Sequence, residues 1–416
     1  MVVSYERNVY PSSEEKKLRF SLAHTPYEEK ASGALLPLRA FGFCEEGGLV
    51  SADGFVRNSV YAAPSPPLRG YAYGAERFFC GEDNKLYRLT ALGYVAAAAF
   101  SAPPRTAEVT LSDHKRGLLF FNGGEWYVFS EGTMQQKSGV FAEYAAFHYE
   151  RLFVWDGEKL RFSATLDPFR WTQGLQDAGY AYLPSAFGEV CAMLSFGERL
   201  YLFRDAGVTV FRAFGDNRNF KAVEKKFSCR GVVGDTVCST GDGVCFLADD
   251  GIYRFDGEDA VKIFDVRMRD AEASFFGGKY VLSGSVRGER VLLVFSDGKT
   301  CIYRADAHAL SGDTFYTGDR WLSFAEGIGS QPTERSWESG MTEFGLGNGR
   351  KMLKKVELFG RGEISFAVRS EHGKRSYTAR LPHCFRPYLR GRRFALRMEA
   401  FDRAKIEETE VTLIDY

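Results

Sequence analysis

The chain has 416 residues, and its 54 Lys and Arg balance its 54 Asp and Glu, so net charge alone exerts no pull towards nucleic acid or membrane. Aromatic residues make up 15%, a bias that suits strands better than helices. No apolar run reaches the ~18 residues of a membrane-spanning helix, and the first twenty residues lack the basic start and apolar core of a secretory signal. The eight cysteines contain no C-x-x-C pair, which argues against zinc and predicts a reduced, cytosolically made chain without structural disulfides.

Residues 1–30 are polar and irregular, with a charged run at Glu14, Glu15, Lys16 and Lys17. They are expected to form an N-terminal arm, either solvated or docked on a neighbouring subunit. In Ser51–Tyr61 an Asp53-Gly54 turn separates two apolar runs, and Pro64, Pro66 and Pro67 then break any regular element.

From residue 71 one hairpin recurs. Its clearest copy is FGERLYLFRDAGVTVFRAF (Phe196–Phe214), two β-rich runs joined by a Gly-containing turn. Further copies are His148–Ala164, Gly241–Gly257 and Gly288–Ala305, with weaker ones at Gly74–Thr90 and His114–Ser130. Phe78, Leu119, Leu152, Leu200, Phe246 and Leu293 fall in steps of 41, 33, 48, 46 and 47 residues, and propeller blades repeat at roughly 40–50. The fold expected is all-β: a β-propeller of about six degenerate blades over 31–345. Residues 346–416 read as a C-terminal β-sandwich, with clear alternation in VELFGRGEISFAV (Val356–Val368).

That last module is lopsided in charge. From Arg350 to Arg397 there are 14 basic residues against Glu357, Glu363 and Glu371, a local net of +11, while residues 1–349 carry −7. The residues expected to contact a partner are Arg386, Arg390, Arg392, Arg393, Lys374 and Arg375. Such a surface fits an acidic subunit interface or, without sequence preference, a DNA backbone; the interface is the favoured reading.

Enzyme signatures are weak. Asp205–Val210 (DAGVTV) is close to the Asp-box of sialidases, but Phe203 and Val210 stand where Ser and Trp belong, and that box is itself a structural turn. No pair of carboxylates is singled out for glycoside hydrolysis. No G-x-S-x-G elbow, phosphate loop or H-E-x-x-H is present, and the six histidines do not cluster. Trp155, Trp171 and Trp321 could line a sugar groove, yet large aromatics in propellers more often pack between blades. No catalytic residue, metal ligand or cofactor is therefore expected. A carbohydrate-active or carbohydrate-binding propeller, of sialidase or lectin type, is the alternative, and an intracellular interaction propeller a third.

The stretch RLFVWDGEKLRFSATLDPFRWTQ (Arg151–Gln173) resembles virion proteins of tailed phages, of the packaged-DNA stabilisation and tail nozzle (tail tubular) kind. The likeness rests on Arg151-Leu152-Phe153, Arg161-Phe162-Ser163 and Asp167-Pro168-Phe169-Arg170-Trp171. Arg230–Gly257 and Asp53–Tyr61 are similar to two further habits of the group, although Ser59 replaces the usual Pro-Gly. The resemblance implies a non-enzymatic virion protein, assembled in the bacterial cytoplasm into a ring, commonly of six copies, at the channel through which DNA leaves. Its partners would be copies of itself, neighbouring tail or portal and adaptor proteins, and DNA in the channel.

Overall fold

The computed structural model describes residues 14–22, 35, 37–45, 48–51, 55–57, 61, 63–172, 178–276, 278–296, 299–304, 307–311, 314–317, 320–324, 335–401 and 403–415. Among them every regular element is a strand, apart from two single 3-10 turns. The chain divides into two compact units: 55–297 with 305–325, and 1–54 with 298–304 and 326–416. The Asp53-Gly54 turn and residues 325–334 lie outside the described residues.

The first unit is a β-propeller with six four-stranded antiparallel blades. Five follow in chain order at 67–99, 105–137, 144–181, 190–226 and 238–264. The sixth joins Ala307–Ser311, Thr314–Thr317 and Arg320–Phe324 to Phe55–Arg57, a strand from far earlier in the chain. A three-stranded meander, 269–296, stands between the fifth and sixth, its first strand beside the first strands of both. The first strand of blade six in turn packs along that of blade one, which closes the circle.

The recurring hairpin forms the two middle strands of blades one to five. In Arg151–Trp155 all five residues are buried, as are all of Val244–Ala248. Blades stacked face to face leave a middle strand no wet side, so its sequence reads as an apolar run rather than an alternation. The two faces still serve different neighbours. Leu200 and Leu202 pack with Phe153 and Trp155 of blade three, whereas Tyr201 and Phe203 pack with Phe246 of blade five. Leu152, Leu200 and Phe246 all face the preceding blade.

Leu293 breaks that equivalence. It is buried, but it lies in the third strand of its meander (Glu289–Ser296), opposite Leu282 of the second. The matching hairpin is therefore 279–295, one strand earlier than the 288–305 frame. Ser283 and Gly284 interrupt the apolar run there and hide it.

The phage-like motif is a packing device of blade three. Arg151 is 6% exposed and donates to the Ser163 carbonyl at 2.7 Å, while the Ser163 hydroxyl accepts from the Leu152 amide at 2.9 Å. The Asp167 turn then carries Phe169 and Trp171 onto Trp126 of blade two, with ring centroids 6.3 and 5.9 Å away. Trp155 is likewise buried between blades; the Trp321 side chain lies outside the described residues.

The second unit is one curled sheet rather than two facing ones. Its backbone is the 20-residue strand Lys351–Ser370, which bends where Gly360 (φ +148°) and Gly362 (φ +100°) interrupt the register. A Cβ on Gly360 would sit 1.9 Å from the Lys405 carbonyl oxygen, so only glycine fits at that bend. The first half pairs with Lys405–Asp415 and the second with Gly373–Phe385 and Phe394–Ala400. Leu353, Val356, Leu358, Ile364, Phe366 and Val368 line one shared core.

Two expectations need correction here. Within the supposed arm, Glu15–Phe20 is a strand paired with Lys405–Asp415, and Leu18 and Phe20 pack on the core. Its charges masked the alternation, and they find partners: Lys16 with Asp415 at 2.8 Å, Arg19 with Glu410 at 2.9 Å. Cys301 is disulfide-bonded, against the expectation of a fully reduced chain. It stands opposite Cys44 in antiparallel register, and residues so paired come within disulfide reach however far apart they lie in sequence.

Candidate functional site

The bend at Gly360–Gly362 brings the two ends of one strand to one place. Leu389–Gly391 pairs with Lys351–Leu353 at the start of that strand, while Ser370 at its end donates its hydroxyl to the Arg390 carbonyl at 2.8 Å. Around this junction lies a cleft of about 940 Å³ lined by Met341, Asn348, Arg350, Glu371, His372, Arg390, Gly391, Arg392 and Arg393.

Local chemistry fixes its walls. Glu371, in the hairpin turn, accepts the backbone amides of Arg392 (3.1 Å) and Arg393 (2.9 Å). Its carboxyl is partly desolvated, which favours the neutral form, yet its own backbone amide and those two hold its pKa below the usual carboxylate range. Both of its oxygens are therefore already engaged. A Cβ on Gly391 would lie 2.7 Å from Glu371 Oε2 and 2.8 Å from Ser370 Cβ, so the loop closes only over glycine. On the other wall Lys351 is fully buried and donates to the carbonyls of Gly347 and, at 3.1 Å, Gly349, which holds the loop carrying Asn348 and Arg350.

The cleft is rich in cations that its own acids do not neutralise. Arg393 pairs with Glu343 at 3.1 Å. Among the described residues neither Arg350 nor Arg392 has a carboxylate in ion-pair range. Of the residues expected from sequence, the fold brings Arg390, Arg392 and Arg393 together. Lys374 and Arg375 sit on the exposed start of the hairpin's second strand, opposite Arg369 and Val368, and Arg386 lies on the exposed segment after Phe385. These three do not line the cleft. Arg350 and His372 do, and only the curl of the sheet could have selected them.

A second charged group lies where the first strands of the blades meet. Asp235, on the 3-10 turn Gly234–Thr236, receives Arg105 of blade two at 2.6 Å and Arg69 of blade one at 3.4 Å. Burial opposes the carboxylate, but the two guanidinium groups prevail and lower its pKa. Arg105 also lies over the Tyr144 ring of blade three at 4.6 Å. The turn is pressed so close that a Cβ on Gly234 would come within 1.8 Å of the Cys191 carbonyl oxygen of blade four.

The Asp-box-like turn is structural as well. Arg204, 1% exposed, donates to Thr209 Oγ1 (3.0 Å) and to the carbonyls of Gly188 (2.7 Å) and Pro184 (2.6 Å). Among the described residues no three His, Cys, Asp or Glu side chains are grouped to hold a metal ion, and no helix is long and apolar enough to cross a membrane.

No family model and no curated protein matches the chain. Among solved structures it is similar to a chain of BBS1N in complex with ARL6DN, at 8% identity and TM-score 0.46 over 66% of this chain and 98% of that one. BamB from Moraxella catarrhalis gives 11% and 0.41 over 74% and 98%. YCF48 bound to D1 peptide gives 10% and 0.42 over 67% and 96%. None of the three is named as a virion protein, and at such scores nothing about partner or activity is taken from them.

Proposed function

We propose that this chain is a non-enzymatic assembly protein, of the tailed-phage virion kind that Arg151–Trp171 resembles, and that its basic cleft receives an acidic surface of a neighbouring copy. The observation that carries the reading is the cleft itself. Arg350, Arg390, Arg392 and Arg393 converge on about 940 Å³ whose one lining carboxylate is engaged by backbone amides. A concave surface with such an excess of guanidinium selects carboxylates or phosphates, which a planar fork grips in pairs. Repetition of one head-to-tail contact closes into a ring when the rotation permits. Neighbouring tail or portal proteins would add the outer contacts, at the channel through which DNA leaves the particle.

The test is light scattering of the full chain across salt. Contacts between exposed charges fade as the Debye length falls from ~10 Å at 0.1 M to ~3 Å at 1 M. Association at low salt that is lost at high salt is expected. A chain that stays monomeric throughout, or an assembly indifferent to salt, would overturn the proposal. So would a chain that binds DNA by these arginines but does not self-associate.

A further inference from the structure

Between blades two and three the propeller has a cleft of opposite character. It has a volume of about 550 Å³, with Glu125, Phe141, Glu143 and Tyr144 in its lining and Arg105 at one side. Glu125 is anchored through one oxygen. Its Oε2 accepts the Ser101 amide (2.9 Å), the Ser101 hydroxyl (2.8 Å) and Asn122 Nδ2 (3.2 Å), and Oε1 makes no hydrogen bond among the described residues. Glu143 is exposed and has no cation in ion-pair range among the described residues. The lining's one arginine is directed elsewhere: Arg105 donates to Asp235 at 2.6 Å, a carboxylate it shares with Arg69. Glu125 and Glu143 therefore have no ion-pair partner among the described residues.

Beside them an aromatic ring stands in water. Phe141 is 58% exposed and lies over Gly123, where a Cβ would come within 3.1 Å of the ring. Gly123 has φ +55°, and a side chain there would crowd the ring. Carboxylates next to an open aromatic face suit a guanidinium group, which takes a carboxylate through its N–H edge and a ring through its face. The same cleft already contains that geometry in miniature, with Arg105 over Tyr144 at 4.6 Å.

We propose that this cleft is the acidic receptor for the Arg390–Arg393 loop of a second copy. The proposal rests on the assembly reading above and names its other half. Charge complementarity selects the occupant: residues 350–397 carry +11 and residues 1–349 carry −7. Arg392, with no carboxylate in ion-pair range among the described residues, is the arginine that enters between Glu125 and Glu143.

The experiment uses full-length chains and sedimentation velocity at low salt. Glu143→Lys and Phe141→Ser both alter exposed side chains without touching the Glu125 anchor, and circular dichroism checks that each variant folds. Each is expected to weaken association about tenfold or more. Glu143→Lys mixed with Arg392→Glu is expected to regain hetero-association that neither shows alone. If both propeller variants associate like wild type while Arg390→Glu/Arg392→Glu/Arg393→Glu does not, the receptor lies elsewhere: this inference falls and the assembly reading stands. If the mixture fails to regain association although both single variants lose it, the pairing proposed here is wrong. If wild type does not associate, both fall.

Discussion

Arg105 Nη1 donates to Asp235 Oδ1 at 2.6 Å, joining residues 130 apart in sequence and the second blade to the turn that precedes the fifth. Arg69 of the first blade reaches the same oxygen at 3.4 Å. One carboxylate thus bridges two cations from first strands that enter the ring at different points.

Asp235→Asn should therefore destabilise the propeller, because it removes the carboxylate that two guanidinium groups share. The three side chains are 27–37% exposed, so solvent screens part of the repulsion; about 1–3 kcal/mol is expected. Since the folded pKa of Asp235 is lowered, this stability is present above the ordinary value of 3.8 and is lost as pH falls below it. Urea unfolding of wild type and variant checks the size. An unchanged midpoint would make the bridge ornamental.

His148 predicts a second acid effect, at higher pH. It is 2% exposed, joins Ser195 through Nδ1 at 2.8 Å across blades three and four, and burial pushes its pKa down to about 4 from 6.5. A group depressed on folding carries no penalty above 6.5; the unfolded chain takes up the proton first, so stability falls as pH drops from 6.5 towards 4. Between pH 7.5 and pH 5 the loss should be about 2 kcal/mol. His148→Asn should flatten that slope, and denaturation at the two pH values measures it.

Blade packing gives a third. Leu152→Ala and Leu200→Ala each remove a side chain wholly buried against the preceding blade, at an expected ~2–5 kcal/mol. Leu166→Ala, a change at an exposed turn position, should cost well under 1 kcal/mol. Thermal unfolding of the three variants separates the two classes.

The blades were legible where the physics is local. A middle strand buried on both faces writes its own apolar run, which is why Arg199–Arg204 and Arg151–Trp155 stood out. Three elements did not. Lys279–Val286 is broken by Ser283 and Gly284, Glu15–Phe20 is covered in charge, and Phe55–Arg57 pairs with a strand some 265 residues later. The basic module was equally legible as a composition, but not which arginines meet. That depends on a bend at Gly360–Gly362 that folds one strand's ends together, and glycines in sequence do not announce the angle they allow. Composition therefore does not separate Arg386, Lys374 and Arg375 from the arginines that line the cleft.

The cleft's geometry can be probed without altering charge. In Gly391→Ala the added Cβ meets Glu371 Oε2 at 2.7 Å and Ser370 Cβ at 2.8 Å, so the carboxylate must give up an amide of Arg392 or Arg393. A stability loss of about 1–2 kcal/mol is expected. Association should weaken beyond what that loss explains, as sedimentation of the still-folded variant would reveal.

The most direct test of the whole account is sedimentation velocity of wild type beside Arg390→Glu/Arg392→Glu/Arg393→Glu, at low and high salt. These side chains are exposed and the backbone amides that hold Glu371 remain, so the variant should fold. The account predicts salt-sensitive assembly of wild type and a monomeric variant. A variant that assembles as wild type does, at both salts, would contradict it.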